Sequence, residues 1–288
     1  MKRIISIALI TGAFLACTKT VPGPKPEITS EGLTVVSADI ETLLLDGETA
    51  RHWQDGDAIG LFGSEVGNNE KYLLREADAD LSSALFYGPL IKGETVAAYY
   101  PYSPSFSGSA TGMGALLESE QTYAEGAAEV EQFLRYCPRA YAFLQNDKLS
   151  FHYPFGMLEV KIALYETLKI YSLTLSSPSS SLSGLAVINP EGSAMAPGAP
   201  QEAKLLCEGG VSSRDDAGQV RSFLIVAAPG TYEDLRLSLE VEGEPVIHCE
   251  LGSLNIPRID ASGFTMASVT LTTGGPESFD PVIVHFDE

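Results

Sequence analysis

The side chains most able to act as nucleophiles or metal ligands are four histidines and four cysteines, and neither set has a catalytic or metal-binding spacing. The histidines are scattered through strand-like segments, at His52, His152, His248 and His285. His248 and Cys249 are adjacent, but neighbours on a strand point to opposite faces of a sheet. The chain contains no nucleophile elbow, no Gly-rich phosphate loop, no H-E-x-x-H pair and no EF-hand spacing. We therefore predict that the chain is not an enzyme and that it holds no metal and no cofactor.

One cysteine differs from the others by its position near the start of the chain. Lys2 and Arg3 precede an apolar stretch over residues 4–16, and Ala16 stands directly before Cys17. This order is that of a secretory signal, and the apolar stretch is too short for a transmembrane helix, which needs about 20 residues. The segment resembles a lipobox, in which a diacylglycerol is attached to Cys17 and the chain is cut before it. The alternative is an ordinary signal whose cleavage happens to leave a cysteine.

The segment after the predicted cut is rich in proline. Residues 1–16 would be removed as the lipoprotein signal peptide, and residues 17–31 would form a tether, because Pro22, Pro24 and Pro26 favour an extended chain. Two or more acyl chains would hold such a protein at its membrane durably, which a single chain does not do. The sequence thus predicts export and lipid attachment.

The other three cysteines, Cys137, Cys207 and Cys249, allow at most one disulfide. Cys207 with Cys249 is the candidate pair, because both lie in the second half of the chain. Isolated buried thiols are the favoured interpretation, since a free cysteine behaves as a small core residue.

The chain is acidic, with 18 Lys and Arg against 38 Asp and Glu and a net charge of -20. Such a surface repels phosphate backbones, so we expect no nucleic-acid partner.

Alternation of apolar and polar residues with a period of two dominates the chain after Ser30 and predicts β-strands. The clearest strand is 235–241, where leucines alternate with charged or hydroxyl residues. Further strands are predicted at 33–40, 58–62, 95–100, 158–164, 170–175, 222–227, 245–251 and 265–271. Residues 116–136 hold no clear helical face, and we interpret them as a long loop with one helical turn at most. Many short strands joined by Gly and Pro turns favour an all-β chain built from β-sandwiches.

A polar segment, Asn146-Asp147-Lys148, separates two β-rich halves of the chain. We place the domain boundary there, with an N-terminal β-sandwich at 32–148 and a C-terminal β-sandwich at 149–288. The first half carries the aromatic-rich segment 99–102, which either packs its strand into a core or offers a platform for sugars. Core packing is favoured, because Val96, Ala98 and Tyr100 alternate on one side.

Three segments taken together resemble the fimbrillin family, the subunits of type V pili of anaerobic Gram-negative bacteria. They are WQDGDAIGLF at 53–62, AAYYPY at 97–102, and LSFHY at 149–153 leading to LEV at 158–160. The first is intelligible physically as well, because Gly56 permits a turn, Asp55 or Asp57 can accept hydrogen bonds from turn amides, and Trp53 supplies a core side chain.

The resemblance implies two transthyretin-like β-sandwich domains in tandem and a structural role in a fimbria that serves adhesion. Subunits of the family travel to the outer membrane as lipoproteins, a trypsin-like protease removes the first strand, and a strand from a neighbour fills the groove. The partners implied are other pilin subunits or further copies of this chain. The alternative function is an outer-membrane surface lipoprotein that binds glycan through exposed aromatics at 99–102.

The family's two processing steps have candidate positions in this sequence. Arg51 is the only basic residue between Lys25 and Lys71, so cutting after it would release the strand at 33–40 together with the lipid. The alternative is that Arg51 is a solvated strand residue. At the other end, residues 276–288 are the candidate donor strand, with Val282, Val284 and Phe286 on one face. The same residues could form the last strand of their own domain.

Overall fold

The structure, a computed structural model, describes residues 33–40, 44–45, 48–49, 53–65, 68–78, 82–91, 93, 96–126, 129–164, 167–251, 258–261, 264–270 and 282–285. This part of the chain is almost entirely β, which confirms the predicted all-β class. In its first half the elements are β1 (Thr34–Ile40), β2 (Leu44–Leu45), β3 (Glu48–Thr49), β4 (Ala58–Gly63), β5 (Glu70–Ala77), β6 (Ser83–Gly88), β7 (Val96–Tyr100), β8 (Gly108–Ser109), β9 (Gly112–Leu117), β10 (Glu120–Thr122), α1 (Glu129–Tyr136), β11 (Ala140–Gln145) and β12 (Lys148–Phe151).

The second half of the described chain continues with twelve further strands. They are β13 (Gly156–Ala163), β14 (Lys169–Ser176), β15 (Gly184–Asn189), β16 (Gly192–Met195), β17 (Glu202–Ser212), β18 (Ser222–Ala227), β19 (Gly230–Thr231), β20 (Arg236–Val241), β21 (Ile247–Glu250), β22 (Arg258–Ile259), β23 (Phe264–Thr270) and β24 (Val282–His285). Each strand predicted from alternation has a counterpart within a few residues of its predicted bounds, because burying one face of a strand requires that alternation.

Seven strands of the first half close into a barrel in the order β1, β12, β11, β7, β4, β5, β6. The sequence predicts a β-sandwich here, and the structure differs because β1 pairs with a strand along each of its edges. It pairs antiparallel with β6 and parallel with β12, and so joins the two ends of the sheet. The barrel therefore depends on its first strand for closure.

The predicted boundary after residue 148 falls inside this barrel. β12 starts at Lys148 and forms a hairpin with β11, in which Asn146 and Asp147 occupy the turn with φ values of 50° and 64°. The polar segment marks a hairpin turn rather than a break between units, since Asn and Asp tolerate the left-handed conformation that a tight turn needs. The barrel strands extend to Phe151.

Two sheets built mainly from the second half face each other across one core, as in a β-sandwich. One has the order β10, β17, β14, β20, β21 and the other the order β18, β13, β23, β24. Leucines of β14 and β20 meet apolar side chains of β13 and β18 in this core. The opposite faces of β13 and β18 contribute Met157, Leu224 and Val226 to the core of the barrel. These two strands are thus buried on both faces and join the two halves.

The segment predicted as a long loop is ordered into β9, β10 and α1, so that prediction is wrong. β9 pairs antiparallel with β15, and β10 pairs parallel with β17, both in the second half. We call residues 108–126 with α1 the clasp, because they leave the barrel after β7 and return to it at β11. Short strands whose partners lie far along the chain carry little local signal, which is why alternation did not reveal them.

Candidate functional site

β1 is the first strand of the barrel. It lies near the start of the chain and pairs with a barrel strand on each side. Its backbone follows β6 from Thr34 opposite Gly88 to Asp39 opposite Ser83, and the amide of Ile40 donates to the carbonyl of Ser82 at 3.1 Å. On its other side Ser37 to Ile40 pair with β12. Both edges of β1 are therefore satisfied by its own barrel.

The side chains of Val36, Ala38 and Ile40 form the inward row of β1, and they are 3%, 0% and 4% exposed. Phe86 lies opposite Val36 and Phe151 lies opposite Ile40. Between these two aromatic residues, Ala38 has its own neighbours, Ala84 on β6 and Leu149 on β12. The row thus presents a branched residue, a small residue and a branched residue to the core.

Trp53 is fully buried and belongs to the same core as this row. Its indole makes edge contacts with Phe86, Tyr100 and Phe151 at centroid distances of 4.9, 5.1 and 5.7 Å. Its Nε1 donates to the carbonyl of Ser82 at 3.1 Å, the same oxygen that accepts from Ile40. The prediction of a core role for Trp53 is confirmed, and its position links β1 to the barrel wall.

The turn after Trp53 is built as its residue types predict. Gly56 adopts a φ of 89°, which a glycine allows without a steric penalty. Asp57 accepts from the amide of Gln54 at 2.8 Å through Oδ2 and from the hydroxyl of Tyr100 at 2.8 Å through Oδ1. One carboxylate therefore fixes both the turn and the end of β7.

The outward side of β1 carries an ionic connection across the sheet. Asp39 accepts a hydrogen bond from the hydroxyl of Ser83 on β6 and forms an ion pair with Lys148 on β12. The Asp39 and Lys148 side chains are 34% and 42% exposed. At that exposure an ion pair adds little to stability, so its main effect is on the register of the two flanking strands.

The tyrosines at 99–102 do not form an exposed platform, so the geometry on which the glycan-binding alternative depended is wrong. Tyr99 is fully buried, and its ring lies directly over Gly60, where any side chain would clash, since a Cβ there would be 2.1 Å from the ring. Its hydroxyl donates to the carbonyl of Ser103 at 2.7 Å. Tyr100 is 2% exposed. Tyr102 is half-buried and stacks on Tyr99.

The cysteines of the described chain are free, and Cys137, Cys207 and Cys249 are all buried. Cys207 and Cys249 lie on β17 and β21, which are three strand spacings apart in one sheet. That separation is about 14 Å, whereas a disulfide needs Cα atoms within about 7 Å. Burial raises the pKa of both thiols to about 12. The favoured prediction of isolated core thiols is confirmed.

Several predicted site residues lie outside the described residues, namely Cys17, Arg51 and Phe286. The candidate donor strand is described in part as β24, which pairs antiparallel with β23 of its own chain, with Val284 opposite Met266. β24 is the last strand of its sheet. This segment therefore has a place in its own domain, as one of the two alternatives from the sequence required.

Two further properties follow from the side chains and helices that the structure describes. Within those ranges, no group of three or more His, Cys, Asp or Glu is arranged to hold a metal ion. Over the same ranges, no helix has the length and apolar character needed to cross a membrane.

In sequence, the chain matches no family model and no curated protein. In structure it is similar to a proposed cell adhesion protein from Bacteroides ovatus, with a TM-score of 0.53 and 13% identity over 88% of this chain and 95% of the other. It is also similar to a proposed cell adhesion protein from Bacteroides uniformis, with a TM-score of 0.50 and 15% identity over 88% of this chain and 99% of the other. The chain has the fold of these two proteins. Its structural neighbours agree with the fimbrillin resemblance at the level of the fold.

A weaker likeness is to the tip fimbrial protein Mfa3 from Porphyromonas gingivalis, solved with a C-terminal truncation. Its TM-score is 0.45 at 9% identity, over 88% of this chain and 98% of the other. At that level the likeness supports no conclusion about this chain.

One contact of the clasp covers the edge of a sheet, and the sequence did not predict it. Gln121 is fully buried, and its Nε2 donates to the carbonyl of Val226 at 2.7 Å while its Oε1 accepts from the amide of Val226 at 3.0 Å. The side-chain amide thus takes the place of a neighbouring strand along the edge of β18. The local sequence carries no signal for this contact, because Gln121 and Val226 lie 105 positions apart and only the fold buries the amide between them.

Proposed function

We propose that this chain is a structural subunit of a type V fimbria that serves adhesion, and that it performs no catalysis and uses no cofactor. The observation that carries the proposal is the position of β1. This strand closes the barrel, and the segment that joins it to the rest of the chain contains Arg51. A single cut there would separate a whole interior strand from the fold that it completes.

Release of β1 would leave β6 and β12 as two facing edges with their backbone N–H and C=O groups without partners. Such an edge is a ready template for another strand. A strand from a neighbouring subunit would gain main-chain hydrogen bonds along both edges and place alternate side chains among Phe86, Leu149 and Phe151. The same barrel would then be closed by a partner.

The subunit reaches its place of assembly as a lipoprotein. Residues 1–16 act as the lipoprotein signal peptide, Cys17 receives the lipid, and residues 17–31 form the tether. The lipid holds the subunit at the outer membrane until proteolysis releases it into a cell-surface fimbrium. The barrel, which extends to Phe151, and the sandwich that follows it belong to the transthyretin-like type that the resemblance implies.

The proposed donor is the C-terminal segment 276–288, with Val282, Val284 and Phe286 as the side chains that enter a neighbour's groove. In this assembly the segment would leave β23 of its own chain. The partners are other pilin subunits or further copies of this chain.

Replacing Arg51 by glutamine tests the proposal in cells that assemble the protein. We expect the R51Q subunit to stay at the membrane with its lipid and to be absent from fibres, because its first strand is not released. Fibres of the wild-type protein should contain a chain that begins at His52, as read by amino-terminal sequencing.

The matched control is Arg75→Gln, which removes the same charge from an exposed position on β5. The R75Q subunit should be cut and assembled like the wild type. Assembled fibres in which the chain retains residues upstream of Arg51 would refute the proposed release of β1.

A further inference from the structure

The centre of the inward row of β1 offers space for a small side chain only. Ala38 has no exposed surface, and its cross-strand neighbours Ala84 and Leu149 are 4% and 0% exposed. Cores are packed as densely as organic crystals, so the methyl group of Ala38 fills the space that these neighbours leave.

Trp53 limits how far a side chain at position 38 can extend into the core. Its indole contacts Phe86, opposite the start of the row, and Phe151, opposite the end of it. An indole held between these two rings lies near the middle of the row, where Ala38 is. Any larger side chain at that position would have to displace the indole, which is itself held at Ser82.

We propose that the groove beneath β1 selects a strand with a small central residue and that this chain's own C-terminal segment is not its occupant. The inference rests on the proposed function and assigns the partner by chemistry. The occupant is a strand with the pattern apolar, any, Ala or Gly or Ser, any, apolar, supplied by a subunit other than a copy of this chain.

No register of residues 276–288 satisfies that pattern. The register with the most apolar side chains inward places Val282 and Phe286 at the two ends and Val284 in the centre. Ser278 is the one small residue of the segment, and in the centre it would bring Pro276 and Asp280 to the two apolar ends. Burying an aspartate there without a partner is strongly unfavourable. Every alternative therefore has a large centre or a charged end.

A valine in the centre is expected to weaken the strand's binding by overpacking, because added methyl groups in a close-packed core force side chains out of their preferred rotamers. An effect in the usual range for overpacking corresponds to a loss of affinity of about ten-fold or more. The same change on the outward face, at Ser37, should have little effect, since that side chain is half-buried at the surface.

The direct test uses the mature full-length chain, cut after Arg51 and separated from the released fragment, with fluorescent peptides as probes. The first peptide has the sequence of residues 33–41, and two variants of it carry Ala38→Val or Ser37→Val. A fourth peptide has the sequence of residues 279–288, and a fifth is the same peptide with Val284→Ala. Binding is measured by fluorescence anisotropy.

We expect the residue 33–41 peptide and its S37V variant to bind alike and the A38V variant to bind at least about ten-fold more weakly. The C-terminal peptide should bind weakly, and its V284A variant should bind better. Equal binding of the A38V and parent peptides, or tight binding of the unchanged C-terminal peptide, would overturn the inference and leave strand exchange intact. Failure of every peptide to bind, the residue 33–41 peptide included, would instead overturn the proposed function.

Variants of the uncut chain test whether position 38 accepts only a small side chain, and they do so without strand exchange. The A38V chain should unfold at a temperature lower by at least about 3 °C, while the S37V chain should match the wild type. Trp53→Phe replaces the indole near Ala38 by a smaller ring. The A38V change should therefore lower the unfolding temperature less in a W53F background than in the wild-type background. An A38V chain as stable as the S37V chain would contradict the small central position.

Discussion

The buried side-chain amide of Gln121 takes the place of a neighbouring strand at one point on the edge of β18. It meets both backbone groups of Val226 in the geometry of a strand pair, at 2.7 and 3.0 Å. The edge of β18 is thereby closed at this point to a strand from another chain. Managing exposed edges in this way limits unwanted pairing between molecules.

Replacing Gln121 by leucine should lower the free energy of unfolding by about 1–3 kcal/mol, because the buried amide and carbonyl of Val226 would lose their partners. Denaturant unfolding monitored by circular dichroism measures the change. Gln219→Leu is the matched control, since Gln219 is exposed. That substitution should change stability by no more than about 0.5 kcal/mol. A Q121L chain as stable as the Q219L chain would show that the edge contact contributes nothing.

The residues of the first motif illustrate what the sequence can and cannot reveal at this scale. A tryptophan before an Asp-Gly-Asp turn predicts a core anchor and turn hydrogen bonds, and both are present. The second bond of Asp57, to the hydroxyl of Tyr100, was not predictable. The two residues lie 43 positions apart, so only the fold brings them together.

At the scale of elements, strands with regular alternation follow from the sequence, whereas others do not, among them β17, which with 11 residues is the longest strand described. β20 buries Leu237, Leu239 and Val241 in alternation, which identifies it directly. β10 has only three residues, and it exists because β17 offers it an edge. The closure of the barrel by parallel pairing of β1 with β12 was equally beyond a local pattern, since it depends on two strands more than 100 residues apart in sequence.

The C-terminal strand provides a prediction at the element scale. Deleting residues 276–288 should abolish assembly into fibres while the remaining chain stays folded, if this segment is a donor. The deleted chain would lose the pairing of β24 with β23 at the end of a sheet. Electron microscopy of fibres and thermal unfolding of the isolated subunit measure the two effects separately.

A chain without residues 276–288 that unfolds at a much lower temperature than the full chain would identify β24 as an integral strand of its own domain. Replacing His285 by glutamine, which leaves the length of the segment and Val282, Val284 and Phe286 unchanged, serves as the control for handling and expression.

At the scale of the whole molecule, the two halves are interlocked rather than joined by a linker. The clasp adds β9 and β10 to sheets of the second half, and the ring of Tyr123 packs at a tilt against that of Phe223, with centroids 5.5 Å apart. Arg221 binds the hydroxyl of Tyr123 at 3.1 Å and Glu125 at 3.3 Å. Forces that separate the halves must therefore break strand pairing and buried contacts together.

We expect the barrel and the sandwich to unfold in one cooperative transition. The only tryptophan, Trp53, reports on the barrel core through its fluorescence, while Cys207 and Cys249 report on the sandwich core through their reactivity. Burial raises the pKa of both thiols to about 12, so at pH 8 they should react with a thiol reagent only after unfolding.

The measurement uses a chain in which Cys17 and Cys137 are replaced by serine and alanine, so that the thiol signal comes from the sandwich. Coincident denaturant midpoints for fluorescence and thiol reactivity are the expected outcome. Two separate midpoints would mean that the clasp does not couple the halves. In the Q121L chain the shared midpoint should fall to a lower denaturant concentration.

The ion pair between Asp39 and Lys148 affects how fast an incoming strand associates with the groove that β1 leaves. When β1 departs, its carboxylate leaves with it, and Lys148 remains as a cation at the rim of the groove on a chain whose net charge is -20. An incoming strand with an acidic residue one position after its small central residue would be attracted to that cation and would restore the pair. Such a strand should associate faster than the same strand with an amide at that position, and this advantage should shrink as ionic strength rises, since salt screens attraction between exposed charges over a Debye length of about 8 Å at physiological salt.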